Sequence, residues 1–261
     1  IALFAVNLFL NTEKFSMSFF STQEYSYVWF VGGLMGVVFL TANILLLPRI
    51  GAALTVIVTV TGQMIIGIMI DTFGWFEAAP QPLHPMHIIG VLFLISGIIY
   101  MNANKKLAVG GQHSRAWVFL GLFTGMLPPM QTAVNSALSQ EVDSTIFAAF
   151  ISFLMGTVAL FIIALTVHRR LSFRFRAEGT VLSPWLFSGG ILGATYIGMN
   201  IMLMPHLGVT LTMMAAIFGQ IIMGLLIDHF GLFKLPKQPI DRRRIIAVAI
   251  IVAGILTLQI F

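Results

Sequence analysis

Along the chain, apolar residues come in long runs, not in the period-two alternation of a half-buried strand or the one-sided stripe of a soluble helix. The runs lie at roughly Val28 to Leu47, Ile50 to Ile70, His87 to Met101, Trp117 to Leu138, Thr145 to Val167, Trp185 to Met204, Leu207 to Ile227 and Ile245 to Phe261. A helix crossing a bilayer needs about 20 such residues. The pattern therefore predicts an all-α membrane protein with eight spans, several containing the Gly and Pro that membrane helices tolerate. The opening segment, IALFAVNLFL, is too short to span and lacks the basic start and small-residue cleavage site of a signal peptide. It reads as half a helix, and the native chain is expected to carry about 40 further residues before Ile1.

Composition agrees. Of 261 residues, 58% are hydrophobic and 9% charged, against about 25% charged in a soluble domain. A surface facing lipid excludes the charges that a surface facing water requires. There is no cysteine, which removes disulfides, thiolate metal sites and cysteine nucleophiles together.

The few charges order the spans. One alternating set of loops holds Arg49, then Lys105, Lys106 and Arg115, then Arg169, Arg170, Arg174 and Arg176, then Lys234, Lys237, Arg242, Arg243 and Arg244, while the opposite set holds only Lys14. Lys and Arg resist translocation, so the basic set marks the cytoplasmic side. The basic excess thus reflects topology and not a nucleic-acid partner. Glu77, Glu141, Asp143 and the C-terminal Phe261 are placed outside.

The sequence also repeats itself at one offset, 157 residues, without a gap. GGLMG at 32–36, N-I-x-L-x-P at 43–48, G-x-x-L-T at 51–55 and G-Q-x-I-x-G-x-x-I-D-x-F-G-x-F at 62–76 return at 189–193, 200–205, 208–212 and 219–233. From Gly32 to Phe76, 19 of 45 positions are identical to their partners. Shared hydrophobicity cannot set Asn43 on Asn200, Gln63 on Gln220 and Asp71 on Asp228, so the pattern is a duplication. Residues 115–157 find no partner in the chain; restoring one upstream of Ile1 gives five helices per copy and ten in all. An odd number of spans forces the copies to insert in opposite directions. The charges agree, since matched loops carry basic residues in one copy and few or none in the other. Inverted repeats of this kind are a mark of secondary transporters. The predicted organisation is a first repeat at 1–104, truncated through its first helix and half of the second, a cytoplasmic linker at 105–115 and a second repeat at 116–261.

With the closing motif GQ-x-x-x-G-x-x-I-D-x-F-G-x-F in both copies, and M-L-P-P-M-Q-T-A-V-N-S-A-L at 126–138, the chain resembles the drug/metabolite transporter superfamily, and within it the YdcZ-like branch of bacterial inner-membrane exporters. The resemblance implies a ten-helix exporter of small molecules, multi-pass in the inner membrane, without naming a cargo. Small multidrug exporters of that superfamily use a buried carboxylate to exchange protons for cationic drugs. Here no Asp, Glu, Lys or Arg lies mid-span, and the corresponding helix offers the amides Gln131 and Asn135. A neutral or zwitterionic substrate is favoured over a simple cation.

The candidate substrate-binding residues are Gln63, Gln220, Gln131, Asn135, Asn43 and Asn200. Thr124, Pro128, Gln131 and Asn135 are spaced to share one helix face, and Pro128-Pro129 should interrupt that helix. Thr55, Thr59 and Gln63 make a second stripe, echoed by Thr212 and Gln220. In inverted repeats such pairs meet near the pseudo-two-fold axis, where transporters bind substrate. The alternative is that the amides only join helices, each bond worth about 0.6 kcal/mol. Gly32 with Gly36, Gly121 with Gly125 and Gly189 with Gly193 are small-xxx-small spacings that read as packing. Asp71 and Asp228 are expected to cap the turn that follows them, with gating as the lesser reading. His84 and His87 lack the further ligands a metal needs, and no cofactor is implied. The run Arg242 to Arg244 sets topology and touches anionic headgroups.

The expected partners are a small-molecule substrate and the lipid bilayer, with homodimer formation left open. The leading reading is a secondary active exporter working by alternating access. A passive small-solute or ion channel is the alternative. An intramembrane enzyme lacks a mid-span nucleophile, base or metal cluster.

Overall fold

The fold was obtained as a computed structural model, which describes residues 30–102, 112–168, 185–232 and 240–260. The described residues form seven α-helices and no strand: α1 (Val31–Phe73), α2 (Pro85–Asn102), α3 (Gln112–Gly125), α4 (Leu127–Glu141), α5 (Thr145–His168), α6 (Trp185–Phe230) and α7 (Arg242–Ile260), with a 3-10 turn at Trp75–Glu77. The described residues of the eight apolar runs lie on these helices, apart from Phe30 and Met126. Five stretches are long and apolar enough to cross a membrane: Val31–Ala52, Leu54–Phe73, Pro85–Asn102, Thr145–Thr166 and Ser188–Ile227, the last being 40 residues long. The opening half-helix and the basic segments around Lys105, Arg174 and Lys234 lie outside the described residues.

Helices α1 and α6, of 43 and 46 residues, are about twice the length that one crossing requires. Each is broken once, and in the same way. Gly51 has φ 75° and ψ 161°; Gly208, 157 residues on, has φ 76° and ψ 172°. Only glycine adopts this region readily. A proline stands three residues before each break, Pro48 and Pro205, removing a backbone donor where the first limb ends. The neighbouring side chains repeat as well. Thr55 Oγ1 donates to the Gly51 carbonyl at 2.8 Å and Thr212 Oγ1 to that of Gly208 at 2.6 Å. Asn43 Nδ2 donates to the Phe39 carbonyl, and Asn200 Nδ2 to that of Tyr196, both at 2.9 Å.

The span expected from Trp117 to Leu138 is interrupted at Met126, separating α3 from α4. Pro128 and Pro129 occupy the first turn of α4, where their missing N–H groups cost nothing. Their rings exclude a continuous helix through the preceding turn, so the interruption falls where the double proline predicts.

The chain divides into two compact units, one built from Ile1–Val37 and Gln131–Pro205, the other from Val38–Met130 and His206–Phe261. In the first, the core is Leu138, Phe147, Ala148, Ala149, Ile151 and Ile201, with Phe30, Phe150 and Met155 against it. Ser144 caps α5, its Oγ accepting the Phe147 N–H at 3.2 Å. The start of α1 lies against α5 so closely that a Cβ on Gly33 would overlap the Ser152 carbonyl.

In the second unit, α2 and α7 run antiparallel, Gly90 meeting Gly254 and Leu258 while Gly97 meets Ile251 and Ala247. The second limb of α1 crosses α3 just as closely. Added Cβ atoms on Gly62 and Gly125 would overlap the carbonyls of Leu122 and Thr59. Leu46, Ile50 and Val58 are buried beside them, with Trp117 packed on the cluster. Arg49 stacks on the Trp117 ring at 4.4 Å, and Arg243 on Tyr100 at 5.2 Å, which gives each cation an aromatic partner.

Without a strong hydrophobic drive between helices in lipid, close packing of this kind carries the association. Gly97→Leu should therefore lower stability by about 1–3 kcal/mol through overpacking, because Ile251 Cγ1 lies 2.6 Å from the position of the added Cβ. A lowered melting temperature in detergent reads this out. Leu160→Ala, at a side chain left exposed, should shift it little.

Candidate functional site

Of the six candidate amides, Gln131, Asn135 and Asn200 belong to the first unit and Gln63, Gln220 and Asn43 to the second. Gln131 and Asn135 do come together. Gln131 Nε2 and Asn135 Nδ2 both reach Ser152 Oγ on α5, at 3.3 and 3.1 Å. Gln131 is half-buried, whereas Asn135 is fully buried, with its Oδ1 against the backbone of Gly32. That oxygen and Ser136 Oγ have no hydrogen-bond partner. Asn135 thus joins α4, α5 and the start of α1, and the contact explains why position 32 must lack a side chain.

The other amides are deployed differently. Asn43 and Asn200 spend a donor on their own helices. Gln63 is buried and Gln220 is exposed. The threonine stripe is likewise turned inward on its helix, Thr59 Oγ1 donating to the Thr55 carbonyl and Thr124 Oγ1 to that of Leu120, each at 2.8 Å. A hydroxyl bonded this way helps satisfy the helix and keeps its lone pairs for another partner.

The main feature missed from sequence is Asp71. Its carboxylate does not cap the turn that follows it. Instead Oδ1 accepts the Val209 N–H at 2.6 Å and Oδ2 the Thr210 N–H at 2.7 Å, so it caps the second limb of α6 from 138 residues away. The break at Gly208 leaves those two donors without partners in their own helix. An anion at a helix N-terminus also meets the positive end of the helix dipole. Asp71 is buried, and among the described residues it makes no ion pair. Its own carbonyl accepts the Gln81 N–H at 2.7 Å, tying the loop to the same point. A Cβ on Gly208 would fall 2.8 Å from Gln81 Nε2 and 3.1 Å from Asp71 Oδ1. The one signal available was the absence of Asp, Asn, Ser or Thr at the break, where an N-terminus needs an acceptor. Asp228, the repeat partner, has a side chain outside the described set.

Beside Asp71 lies a cavity of about 30 Å³, lined in part by Thr72, Gln81, His87 and Thr210. Thr210 is buried, and its Oγ1 has no hydrogen-bond partner. His87 is half-buried and stands edge-on to exposed His84, 6.4 Å between rings. Among the described residues no three His, Cys, Asp or Glu gather to hold a metal.

A family model described as "Putative inner membrane exporter, YdcZ", of the drug/metabolite transporter type, matches residues 1–100 and 116–257. The chain belongs to this YdcZ exporter family. It is, with its apolar helices, a multi-pass inner-membrane protein. No curated protein matched it. One solved structure, described only as the crystal structure of a protein, is similar with a TM-score of 0.68 over 98% of this chain and 84% of that one, at 16% identity. At that identity the likeness speaks for the fold of this YdcZ-family chain and not for its substrate.

The clasp and the break make two linked predictions. Asp71→Ala should cost several kcal/mol, since each buried N–H left unpaired costs about 1–3 kcal/mol, and the melting temperature in detergent should fall accordingly. Gly51→Ala and Gly208→Ala should both be strained, by about 1–3 kcal/mol. Gly208→Ala should be the worse of the two, because its Cβ also meets Asp71 and Gln81 while that of Gly51 meets nothing within 4 Å among the described residues.

Proposed function

We propose that this protein is a secondary active exporter of a small metabolite or drug-like molecule, built from two inverted five-helix repeats that exchange conformations to give alternating access. The observation that carries the reading is the recurrence of one helix break at positions 157 apart. Gly51 and Gly208 share backbone angles, and their neighbours Thr55 and Thr212 share a hydrogen bond. Long helices broken at matched positions in two halves are the pattern on which transporters build their moving parts. Family membership supports the same reading.

In this reading the substrate meets Gln131, Gln63, Gln220, Asn43 and Asn200, with Asn135 as the residue that fixes Gln131's surroundings through Ser152. Neutral amides suit a neutral or zwitterionic molecule, which needs hydrogen bonds and no counter-charge. The passive-channel alternative differs in one respect, since a pore cannot perform counterflow. Proteoliposomes loaded with unlabelled substrate, found by thermal-shift screening, should concentrate labelled substrate from outside; flux that merely equilibrates overturns the transporter.

Two further outcomes are expected. Gln63→Leu, Gln220→Leu and Gln131→Leu should weaken substrate affinity by about 1–3 kcal/mol each, because a buried polar partner is left unpaired. Their melting temperatures should change little, since a single interhelical bond averages about 0.6 kcal/mol. If affinity and melting temperature fall in strict proportion, these amides are packing elements. For topology, single cysteines at Lys105, Arg174 and Arg242 should label from the cytoplasm, and those at Glu77 and Asp143 from outside. Glu77 and Lys234 on one side would overturn the inverted arrangement, because they are repeat partners.

A further inference from the structure

We propose that Asp228 forms a second clasp, capping the Ala52 and Ala53 amides in a state in which the Asp71 clasp is open, so that the two ends of one helix pair are held in turn. The inference rests on the exporter reading, for which it names the residues that close each end. All of them belong to the second unit.

The parts of the observed clasp return at the 157-residue offset. Asp71 answers to Asp228, Gly208 to Gly51, and the amides of Val209 and Thr210 to those of Ala52 and Ala53. The backbone geometry returns with them. The two breaks have matching angles, and the glycines three residues after the two aspartates, Gly74 and Gly231, have φ of 65° and 64°. The break at Gly51 frees amide donors for the same reason as the break at Gly208. Between Leu47 and Leu54 there is no Asp, Asn, Ser or Thr to serve as a local cap.

The two ends are nonetheless unlike. Around the Asp71 clasp, Gly67, Gly208 and Val209 are buried, and a Cβ on Gly67 would lie 3.2 Å from Thr210 Oγ1. Their repeat partners are uncovered, Gly224 and Ala52 being exposed and Gly51 half-buried. The same positions are thus packed at the end that the charge bias assigns to the outside and open at the end it assigns to the cytoplasm. Freed donors are costly in a membrane protein unless something meets them. Opening the Asp71 clasp frees two, and closing a like clasp at the other end offsets the loss with the same kind of bond, a carboxylate on two amides at a helix N-terminus. Each carboxylate favours only the state in which it is bonded, so two matched clasps keep the states close enough in energy to exchange.

The protein's lack of cysteine lets each end be read by a disulfide, which needs Cβ atoms about 3.5–4.5 Å apart. Gly67→Cys with Thr210→Cys makes the outer pair, and Gly224→Cys with Ala53→Cys, at the same offset, makes the inner pair. All four substitutions keep the backbone N–H. The full chain is oxidised in membrane vesicles, and closed pairs are counted as thiols protected from a maleimide mass tag after denaturation. Asp71→Asn puts a donor in place of one acceptor. It should slow closure of the outer pair and speed closure of the inner pair, raising the ratio of inner to outer rate about tenfold, a shift of about 1.4 kcal/mol. Adding Asp228→Asn should bring the outer rate back toward its native value. The proposal is overturned if the inner pair closes in no background, if its rate ignores Asp71→Asn, or if Asp228→Asn fails to restore the outer rate. Should Asp71→Asn fail to fold, the chain with all four cysteines and both aspartates decides. Chains closed at both pairs should then be at least tenfold rarer than the product of the two single-pair yields, and equality with that product overturns the proposal. No substrate is required. Uncoupled ends with counterflow intact overturn this inference alone, whereas coupled ends without counterflow overturn the exporter reading.

Discussion

In hydrocarbon no water is at hand to satisfy a backbone N–H or carbonyl, so a helix that is broken inside a membrane protein must find partners for the groups it frees. This protein breaks two long helices with the same glycine geometry, and at Gly208 the freed donors are met by one carboxylate. Much of the second unit is arranged around that contact. Gly208 must lack a side chain to admit Asp71 and Gln81, the loop after α1 is drawn in by the Asp71 carbonyl, and α2 begins close enough for His87 to line the same cavity.

The position of Asp71 is at first sight a poor one. It lies in the last turn of α1, where the helix dipole presents its negative end and disfavours an anion. The opposite pole of the second α6 limb offsets this, since two amides and the positive end of that dipole converge on the carboxylate. Elsewhere polarity is handled more cheaply. Thr55, Thr59, Thr124, Asn43 and Asn200 donate within their own helices, and Gln131 and Asn135 share a single serine.

The helical spans were legible because lipid imposes both length and composition on every crossing segment. The repeat was legible because Asn43, Gln63 and Asp71 are residues that hydrophobic selection alone would not place twice. Pro128-Pro129 announced its own break for a steric reason that is local to the chain. The role of Asp71 was hidden, because a cap is read from sequence only when donor and acceptor are neighbours, and here 138 residues separate them. The amides were legible as polar positions on a face. Periodicity cannot distinguish an amide that faces a cavity from one that bonds Ser152, since both occupy the inward side of the helix.

The separation of Asp71 from its partner amides bears on how the protein is made. At about 5–20 residues per second, roughly seven to thirty seconds pass between synthesis of the carboxylate and synthesis of Val209 and Thr210. During that interval α1 is complete, and its terminal anion has no mate among residues yet made in α6. The end of the helix must wait in the hydrated headgroup layer or under the protection of the insertion machinery. Docking of the second α6 limb then draws it inward, making this clasp a late step in biogenesis.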